Sequence, residues 1–352
     1  MSWLESLFLG VVQGITEFLP VSSDGHLAVL QILFDRLHGR AGSGAKNLFF
    51  DIMLHVGTLA AILYHYRAVI LEGARGFLLG ANDVRPGFDR SSVFRVGLLA
   101  AVATSPLVPF ALFFKNRLEA MFQSSQAAGV GFLVTAAVLM LVTWRLEGPE
   151  GGKGPARTSW RDALVVGLAQ MFAPLPGVSR SGLTIASALL LGFSRTWAVG
   201  FSLLIAVPAI CGAAVFELKD AIKDPQALGL TPDRIAQTLA ATVVAGLVGY
   251  LAILWLIRVV RAGKLWYFSV YLVALGILVL ALSSRSGGTV DARSSKALDG
   301  TAGRGDPGAS PGRARAGAAG PLDRADAPGS RPGRAAAGAT ARRGGAPGLL
   351  LG

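Results

Sequence analysis

Long apolar runs separated by short polar loops make up most of the first 283 residues of the chain. The runs predict helices near residues 48–66, 93–114, 127–146, 197–218, 235–260 and 266–283. A helix of roughly 18 or more apolar residues with few charges is long enough to cross a bilayer. The pattern therefore predicts an all-α polytopic membrane protein.

Two further apolar segments are interrupted by polar residues and helix breakers. Segments 3–34 and 160–193 both contain Pro, Gly, Ser and ionisable residues in their middle. Irregular backbone at membrane depth is tolerated only where it is buried in protein or lines a cavity. We therefore expect both segments to be re-entrant hairpins, each a helix, a loop and a second helix, and not straight spans.

The two broken segments also resemble one another in sequence. Residues 10–13 (Gly-Val-Val-Gln) match residues 167–170 (Gly-Leu-Ala-Gln). Further on, three positions match with a slip of one residue: Pro20, Ser23 and Leu27 with Pro176, Ser179 and Leu183. Each half of the chain, about 1–146 and 160–283, is then predicted to be one hairpin followed by three spans. Because three is odd, the second half enters the membrane in the opposite orientation, as in an inverted repeat.

Composition and charge are those of a membrane domain with a polar tail. Hydrophobic residues make up 52% of the chain and charged residues 15%, and the mean hydropathy is +0.54. The net charge is +12, of which +6 lies in residues 284–352, a Gly-, Ala-, Arg- and Pro-rich stretch. That stretch has no hydrophobic periodicity and is predicted to be a disordered tail after a membrane domain at 1–283. Its basic residues are not interleaved with aromatic ones, which argues against a nucleic-acid partner.

The basic residues of the loops predict the orientation. One side of the membrane would carry twelve of them: Arg67, Arg75, Arg85, Arg90, Arg95, Arg145, Lys153, Arg157, Arg161, Arg258, Arg261 and Lys264. The other side would carry eight, partly neutralised by aspartates: Arg36, Arg40, Lys46, Lys115, Arg117, Lys219, Lys223 and Arg234. Positive residues favour the cytoplasmic side, so the first side is predicted to be cytoplasmic and both termini outside.

The first broken segment carries a dense group of polar residues. Gln13 and Glu17 are four residues apart and would share one face of a helix. A carboxylate inside a membrane is costly and by default marks a functional site. Ser22–Gly25 forms a turn-like stretch after a proline, and His26 follows with a side chain suited to proton transfer near neutral pH. The alternative is a purely structural Ser/Asp helix cap with a buried histidine.

The second broken segment carries an arginine in a loop of small and hydroxyl residues. Arg180 stays charged at any physiological pH and needs an anionic partner, for which a phosphate suits its planar fork of donors. Its neighbours form a loop that runs into a helix N-terminus, where backbone N–H groups bind anions: Gly177, Ser179, Ser181, Gly182 and Thr184. The alternative is a structural ion pair between Arg180 and Glu17.

These residues resemble the signature motifs of the undecaprenyl-diphosphate phosphatase family, of the bacitracin-resistance type. The resemblance rests on three stretches, Gln13–Glu17, Pro20–His26 and Pro176–Thr184, and covers roughly residues 1–283. It implies one site, facing the outer side of the bacterial inner membrane, that hydrolyses undecaprenyl diphosphate to the monophosphate. That reaction recycles the carrier lipid for peptidoglycan synthesis and confers bacitracin resistance. The resemblance also implies a divalent cation, Mg²⁺ or Ca²⁺.

Phosphoryl transfer needs groups that bind the phosphate oxygens, a nucleophile and a path for its proton. We expect Arg180 to bind the phosphate together with other polar or loop residues: Ser22, His55, Gly177, Ser179, Ser181 and Thr184. Ser23 could attack phosphorus with His26 as its base, or His26 or Glu17 could activate a water molecule. The sequence leaves this choice open.

The expected cation ligands depart from the family pattern at two positions. Gln13 and Glu17 would hold the ion through oxygen atoms, but the family's first acidic position is Gln13 here, so one charge is absent. Asp24 stands where a small hydroxyl residue is common and could restore a carboxylate. The sequence also leaves a transporter of polyprenyl phosphate as the rival function, and it leaves the oligomeric state open, a homodimer included.

Overall fold

The computed structural model describes residues 2–39, 48–71, 90–122, 124–145, 151–223 and 231–283. The main α-helices in these ranges are α1 (Trp3–Phe18), α2 (Ser23–Leu37), α3 (Leu48–His65), α4 (Arg90–Thr104), α5 (Leu107–Phe122), α6 (Ser125–Arg145), α7 (Trp160–Gln170), α8 (Arg180–Leu190), α9 (Arg195–Lys223), α10 (Pro232–Arg261) and α11 (Trp266–Ser283). No extended strand occurs in the same ranges.

Five helical stretches among the described residues are long and apolar enough to cross a membrane. They are Phe94–Leu118, Ser125–Arg145, Arg195–Val215, Pro232–Arg261 and Trp266–Ser283, and Phe49–His65 is a shorter apolar helix. The first of them joins α4 and α5 through a short break before Pro106, a residue that has no N–H group to continue a helix. The prediction of an all-α polytopic membrane protein is confirmed.

Both predicted hairpins are broken where the sequence places their prolines. Helix α1 ends at Phe18, before Pro20, and α2 begins at Ser23. Helix α7 ends at Gln170, and two prolines separate it from α8. The loops therefore confirm a helix, a break and a second helix in each half, while the opposite orientation of the halves stays a prediction.

The same capping chemistry fixes the ends of the helices in both hairpins. Ser2 and Glu5 form a capping box at the start of α1, and Ser159 and Asp162 form one at the start of α7. A capping box satisfies two backbone N–H groups that a helix start leaves without partners. These caps fix the residue at which the first helix of each hairpin begins.

Helix α10 packs closely against the first half of the chain because glycines face it. A Cβ atom added to Gly10 of α1 would lie 2.6 Å from the Ala241 carbonyl oxygen, and one added to Gly57 of α3 would lie 2.2 Å from that of Thr242. Small residues let the backbones of membrane helices approach closely. Helices α1 and α3 are thereby held side by side against α10, which fixes the first hairpin in the bundle.

The tail at 284–352 lies outside the described residues, as do the loops that carry Arg40, Lys46, Arg75 and Arg85. The predicted disorder of the tail, the boundaries of the two halves and the predicted orientation therefore stay predictions.

Candidate active site

The breaks of the two hairpins meet, although 163 residues separate the groups that join them. Arg180, the first residue of α8, donates from Nη2 to Glu17 Oε1 at 2.5 Å. Ser181 donates from Oγ to the Leu19 carbonyl oxygen in the first loop at 2.9 Å. The structure thus brings together the arginine and the carboxylate that the sequence picked out in separate segments.

Glu17 is the centre of this cluster. Its side chain is only 3% exposed, and its Oε2 accepts from Ser23 Oγ at 2.6 Å and from Gln13 Nε2 at 3.1 Å. The ring atom Nε2 of His55 lies 3.7 Å from the same oxygen. A buried carboxylate needs such partners, since burying an unpaired charge is very unfavourable. Both oxygens of Glu17 are therefore held in fixed directions, and Ser23 is directed at one of them.

The first loop is held in an uncommon backbone conformation at Ser22. Its φ of 69° lies in the left-handed region, and among described residues other than glycine no second one has a positive φ. Its Oγ accepts a hydrogen bond from the Gly25 N–H at 3.3 Å and so caps α2. Strained backbone of this kind persists where the surrounding structure enforces it, often at functional sites. Here it places Ser23 at the first turn of α2, beside Glu17.

The second loop is a network of hydroxyl groups at the start of α8. Ser179 Oγ accepts from the Gly182 N–H at 3.0 Å and lies 3.1 Å from Ser181 Oγ. Thr184 Oγ1 lies 2.6 Å from Ser202 Oγ on α9 and donates to the Arg180 carbonyl at 2.9 Å. All of these hydroxyl groups are buried, and they supply hydrogen-bond partners to one another. Through Thr184 they also fix the backbone of Arg180.

Gly177 allows this loop to lie directly on α6. Its φ is +80°, and an added Cβ would lie 2.0 Å from the Ala128 carbonyl oxygen. Thr135 of the same helix also holds the loop: its Oγ1 accepts from the Ser179 N–H at 3.0 Å and lies 3.3 Å from the Gly177 carbonyl oxygen. The second loop therefore takes its position from a helix that the sequence motifs did not include.

We expect Gly177→Ala to displace this loop. The variant should have a lower unfolding temperature and a lower rate of phosphate release from a lipid diphosphate. A positive φ disfavours a residue with a Cβ by roughly 1–2 kcal/mol, and forcing an atom into a packed site adds roughly 1–3 kcal/mol. Gly192→Ala is the matched control, because Gly192 has a similar φ of +81° with nothing within 4 Å of an added Cβ. Thermal unfolding of both variants in detergent separates the two effects. Equal losses in the two would contradict a role for the close approach to α6.

The structure does not join His26 to Ser23, contrary to the first mechanism that the sequence left open, in which His26 is the base for Ser23. His26 Nδ1 lies 2.7 Å from the Ser22 carbonyl oxygen, and its Nε2 lies 2.7 Å from the Tyr271 hydroxyl on α11. Ser23 donates instead to Glu17. The reason is local: Ser23 and His26 are three residues apart in α2, but the Ser22 carbonyl turns the ring towards α11.

The expected cation ligands Gln13 and Asp24 both lie near Glu17, the first bonded to it and the second beside His55, which contacts it. Gln13 Oε1 is buried and has no hydrogen-bond partner among the described residues, although Nε2 of the same amide is bound to Glu17. Asp24 is 41% exposed, and its Oδ1 lies 3.9 Å from His55 Nε2. The described ranges contain no group of three or more His, Cys, Asp or Glu side chains placed to hold a metal ion. The chemistry of these oxygens fits a hard divalent cation, for which they would supply part of the ligands.

Three residues at the site were missed by sequence reasoning. Thr135 and Ser202 are single hydroxyl residues within apolar spans, and Tyr271 is an aromatic residue in another. A hydroxyl in a span bonds its own helix backbone as readily as a neighbour, so the sequence gives no sign of which choice it makes. Only the fold shows that Thr135 contacts the second loop, that Ser202 contacts Thr184 and that Tyr271 contacts His26.

Comparison with known proteins bears on the whole of this domain. A sequence model of the bacitracin resistance protein BacA family matches residues 6–278. The chain belongs to this family. The BacA match includes the breaks of both hairpins and every residue of the candidate site, and it ends before the tail.

Individual relatives of the BacA family extend the comparison. The chain is 38% identical over 287 residues to a protein of Alkaliphilus metalliredigens named undecaprenyl-diphosphatase, a match that covers 80% of this chain and 99% of the relative. It is 37% identical to proteins of the same name from Korarchaeum cryptofilum, over 283 residues, and from a Nocardioides species, over 282 residues. These two matches also cover 80% of this chain, with 100% and 97% of the relatives.

Proposed function

We propose that the protein hydrolyses undecaprenyl diphosphate to undecaprenyl phosphate and inorganic phosphate. The observation that carries this proposal is the contact of Arg180 and Ser23 with one buried carboxylate, Glu17, where the two hairpins meet. A phosphate-binding cation and a hydroxyl nucleophile beside a base are what phosphoryl transfer requires. The name of the relatives supports the same lipid substrate.

Arg180 is the primary ligand of the terminal phosphate. Its guanidinium is held by Glu17 and by the Ala206 carbonyl oxygen on α9, the latter at 3.4 Å. The ion pair considered from the sequence is compatible with a binding role, because it places the charged group of Arg180 beside Ser23 and Glu17. When a diphosphate binds, its terminal oxygens accept hydrogen bonds from the guanidinium N–H groups of Arg180 that Glu17 does not occupy. The phosphate would also be bound by six residues around the two breaks: Ser22, His55, Gly177, Ser179, Ser181 and Thr184.

Ser23 is the nucleophile, and Glu17 accepts its proton. Ser23 Oγ already donates to Glu17 Oε2 at 2.6 Å, within the distance at which a base can take a proton. Attack forms a bond between Oγ and the terminal phosphorus and breaks the bridging P–O bond, so that undecaprenyl phosphate leaves. Water then attacks the phosphorus of the phosphoserine while His26 takes one of its protons. The P–Oγ bond breaks, Oγ recovers its proton from Glu17, inorganic phosphate leaves, and His26 returns its proton to the solvent.

A divalent cation, Mg²⁺ or Ca²⁺, would be held by oxygens of Gln13, Glu17 and Asp24. Mg²⁺ commonly takes one or two carboxylates and completes its ligands with water and substrate phosphate, so that a cage made wholly of protein side chains is not needed. Bound there, the ion would neutralise part of the negative charge of the diphosphate. Asp24 would supply the carboxylate that Gln13 does not.

The site faces the outer side of the bacterial inner membrane in this proposal, where it recycles the carrier lipid for peptidoglycan synthesis. The support is the excess of basic residues in the loops assigned to the opposite side, twelve against eight. The chain is a multi-pass membrane protein with polar groups meeting between its helices, which a lipid substrate reaches from the bilayer.

The rival function, transport of a polyprenyl phosphate, is not favoured. A carrier needs groups that bind the phosphate, and Arg180 with its hydroxyl neighbours would suffice. It has no need of a serine hydroxyl fixed at 2.6 Å from a buried carboxylate. That contact favours hydrolysis.

Phosphate release by the purified protein in detergent tests the function and the cation together. We expect release from undecaprenyl diphosphate with Mg²⁺ or Ca²⁺ and its loss in EDTA. Asp24→Asn removes one negative ligand and is expected to raise the Mg²⁺ concentration for half-maximal rate about tenfold.

The control is Asp162→Asn, which alters a buried aspartate in the capping box of the other hairpin. Binding of Mn²⁺, followed by its electron paramagnetic resonance signal, gives a readout that is independent of turnover. Full activity in EDTA would contradict the cation, and unchanged Mn²⁺ binding by Asp24→Asn would contradict the role of Asp24.

A further inference from the structure

The ring of His26 is held on three sides by residues from three different parts of the chain. Its Nδ1 lies 2.7 Å from the Ser22 carbonyl oxygen, and its Nε2 lies 2.7 Å from the Tyr271 hydroxyl. The ring of Phe132, on α6, meets it edge-on with centroids 5.1 Å apart. A histidine that is needed only for packing does not require a partner at each nitrogen and a ring beside it.

The hydrogen bonds also determine which nitrogen carries the proton. A backbone carbonyl can only accept, so Nδ1 of His26 must donate to Ser22. In the neutral ring Nε2 is then the acceptor, and the Tyr271 hydroxyl donates to it. Because Nδ1 is committed to the backbone, Nε2 is the one ring atom through which His26 can act on a substrate. Tyr271 contacts that atom.

Tyr271 controls the plane of the ring as well as its polar atom. The two rings are stacked with an angle of 8° between their planes and centroids 5.8 Å apart. Tyr271 belongs to α11, which is the last span of the second half, whereas His26 belongs to the first hairpin. Its side chain is 46% exposed and is therefore not needed to fill the core.

We propose that Tyr271 is a positioning residue for the phosphatase, which fixes the plane and direction of His26 through its hydroxyl and its ring. This inference rests on the proposed function. Tyr271 acts through His26 and not on the diphosphate itself, so it affects the rate of turnover and leaves binding of the lipid nearly unchanged.

Tyr271→Phe tests the hydroxyl and keeps the ring. We expect kcat for phosphate release to fall about tenfold, since a small misplacement of a catalytic group has large effects on rate, while KM changes less than about twofold. Tyr267→Phe is the matched control: it removes the same group one turn earlier on the same helix, where the ring contacts Trp266 and not His26. We expect Tyr267→Phe to match the wild type.

A double-mutant cycle decides whether Tyr271 acts through His26. In a His26→Ala background, Tyr271→Phe is expected to cause no further loss, because interacting residues are not additive. Independent, multiplicative losses in the double variant would overturn the proposal, as would a wild-type rate in Tyr271→Phe alone.

The ¹⁵N signal of His26 separates failure of this inference from failure of the proposed function. The chain has four histidines, so His26→Ala assigns the signal. We expect Nδ1 to be protonated in the wild type and the Nε2 shift to move in Tyr271→Phe but not in Tyr267→Phe. If the wild type releases no phosphate, the proposed function fails even when this shift is seen. An Nε2 signal that is the same in all three proteins would overturn the positioning contact itself.

Discussion

Arg180→Ala is expected to lower phosphate release from undecaprenyl diphosphate by about a thousandfold or more. Arg180 places a guanidinium at the meeting point of the two hairpins, and it is the cation there that directly contacts Glu17. Removing an arginine that stabilises a transferring phosphoryl group lowers kcat by about 10³–10⁵. Initial rates at saturating lipid measure the effect.

Two further variants test whether the lost rate comes from the paired N–H donors of the guanidinium or from its charge alone. Arg180→Lys keeps the charge but loses the paired geometry, so we expect it to recover only a small part of the rate. Arg161→Ala is the control, since Arg161 is an exposed residue that lies over the Trp160 ring. A rate in Arg180→Ala within about tenfold of the wild type would mean that another group binds the phosphate.

Glu17→Gln is expected to abolish turnover and also to destabilise the protein. The variant removes the acceptor of the Ser23 proton, and loss of a general base lowers rates by about 10²–10⁴. It also leaves Arg180, 17% exposed, without its carboxylate. Breaking a buried ion pair from one side destabilises a protein by about 3–5 kcal/mol. Glu5→Gln is the control, because Glu5 lies in the same helix and a glutamine still completes its capping box.

Inorganic phosphate should restore part of the stability that Glu17→Gln loses. With Glu17 neutral, Arg180 is free to pair with an added anion, and a ligand that binds only the folded state raises its stability. We expect phosphate to raise the unfolding temperature of Glu17→Gln more than that of the wild type or Glu5→Gln. An equal rise in all three would show that Arg180 is not the anion-binding group.

Local features of the sequence were enough to predict the helices and their breaks. The apolar runs marked the spans, and the prolines and serines after Phe18 and Gln170 marked where each hairpin is interrupted, because these residues act on their own backbone. The pairing of Glu17 with Arg180 was also among the alternatives, since two opposite charges within apolar segments have few other partners. The structure confirms that contact.

Contacts between distant spans could not be read from the sequence. His26 and Tyr271 are 245 residues apart, and nothing in the apolar pattern of α11 distinguishes Tyr271 from the other aromatic residues there. The base for Ser23 could not be read from the sequence either. The sequence offered His26, three residues along the chain, whereas the turn at Ser22 directs the Ser23 hydroxyl to Glu17, six residues back. The positive φ of Ser22 cannot be predicted from residue type alone, because residues other than glycine rarely adopt it.

Product analysis of undecaprenyl diphosphate incubated with the wild type and with Arg180→Ala tests the proposed hydrolysis most directly. We expect one undecaprenyl phosphate for each inorganic phosphate released by the wild type, and essentially none by Arg180→Ala that is folded to the same extent. The lipid products are measured by mass spectrometry and the phosphate by a coupled assay. Folded wild-type protein that binds the lipid but leaves the diphosphate intact would contradict hydrolysis as the function of this site.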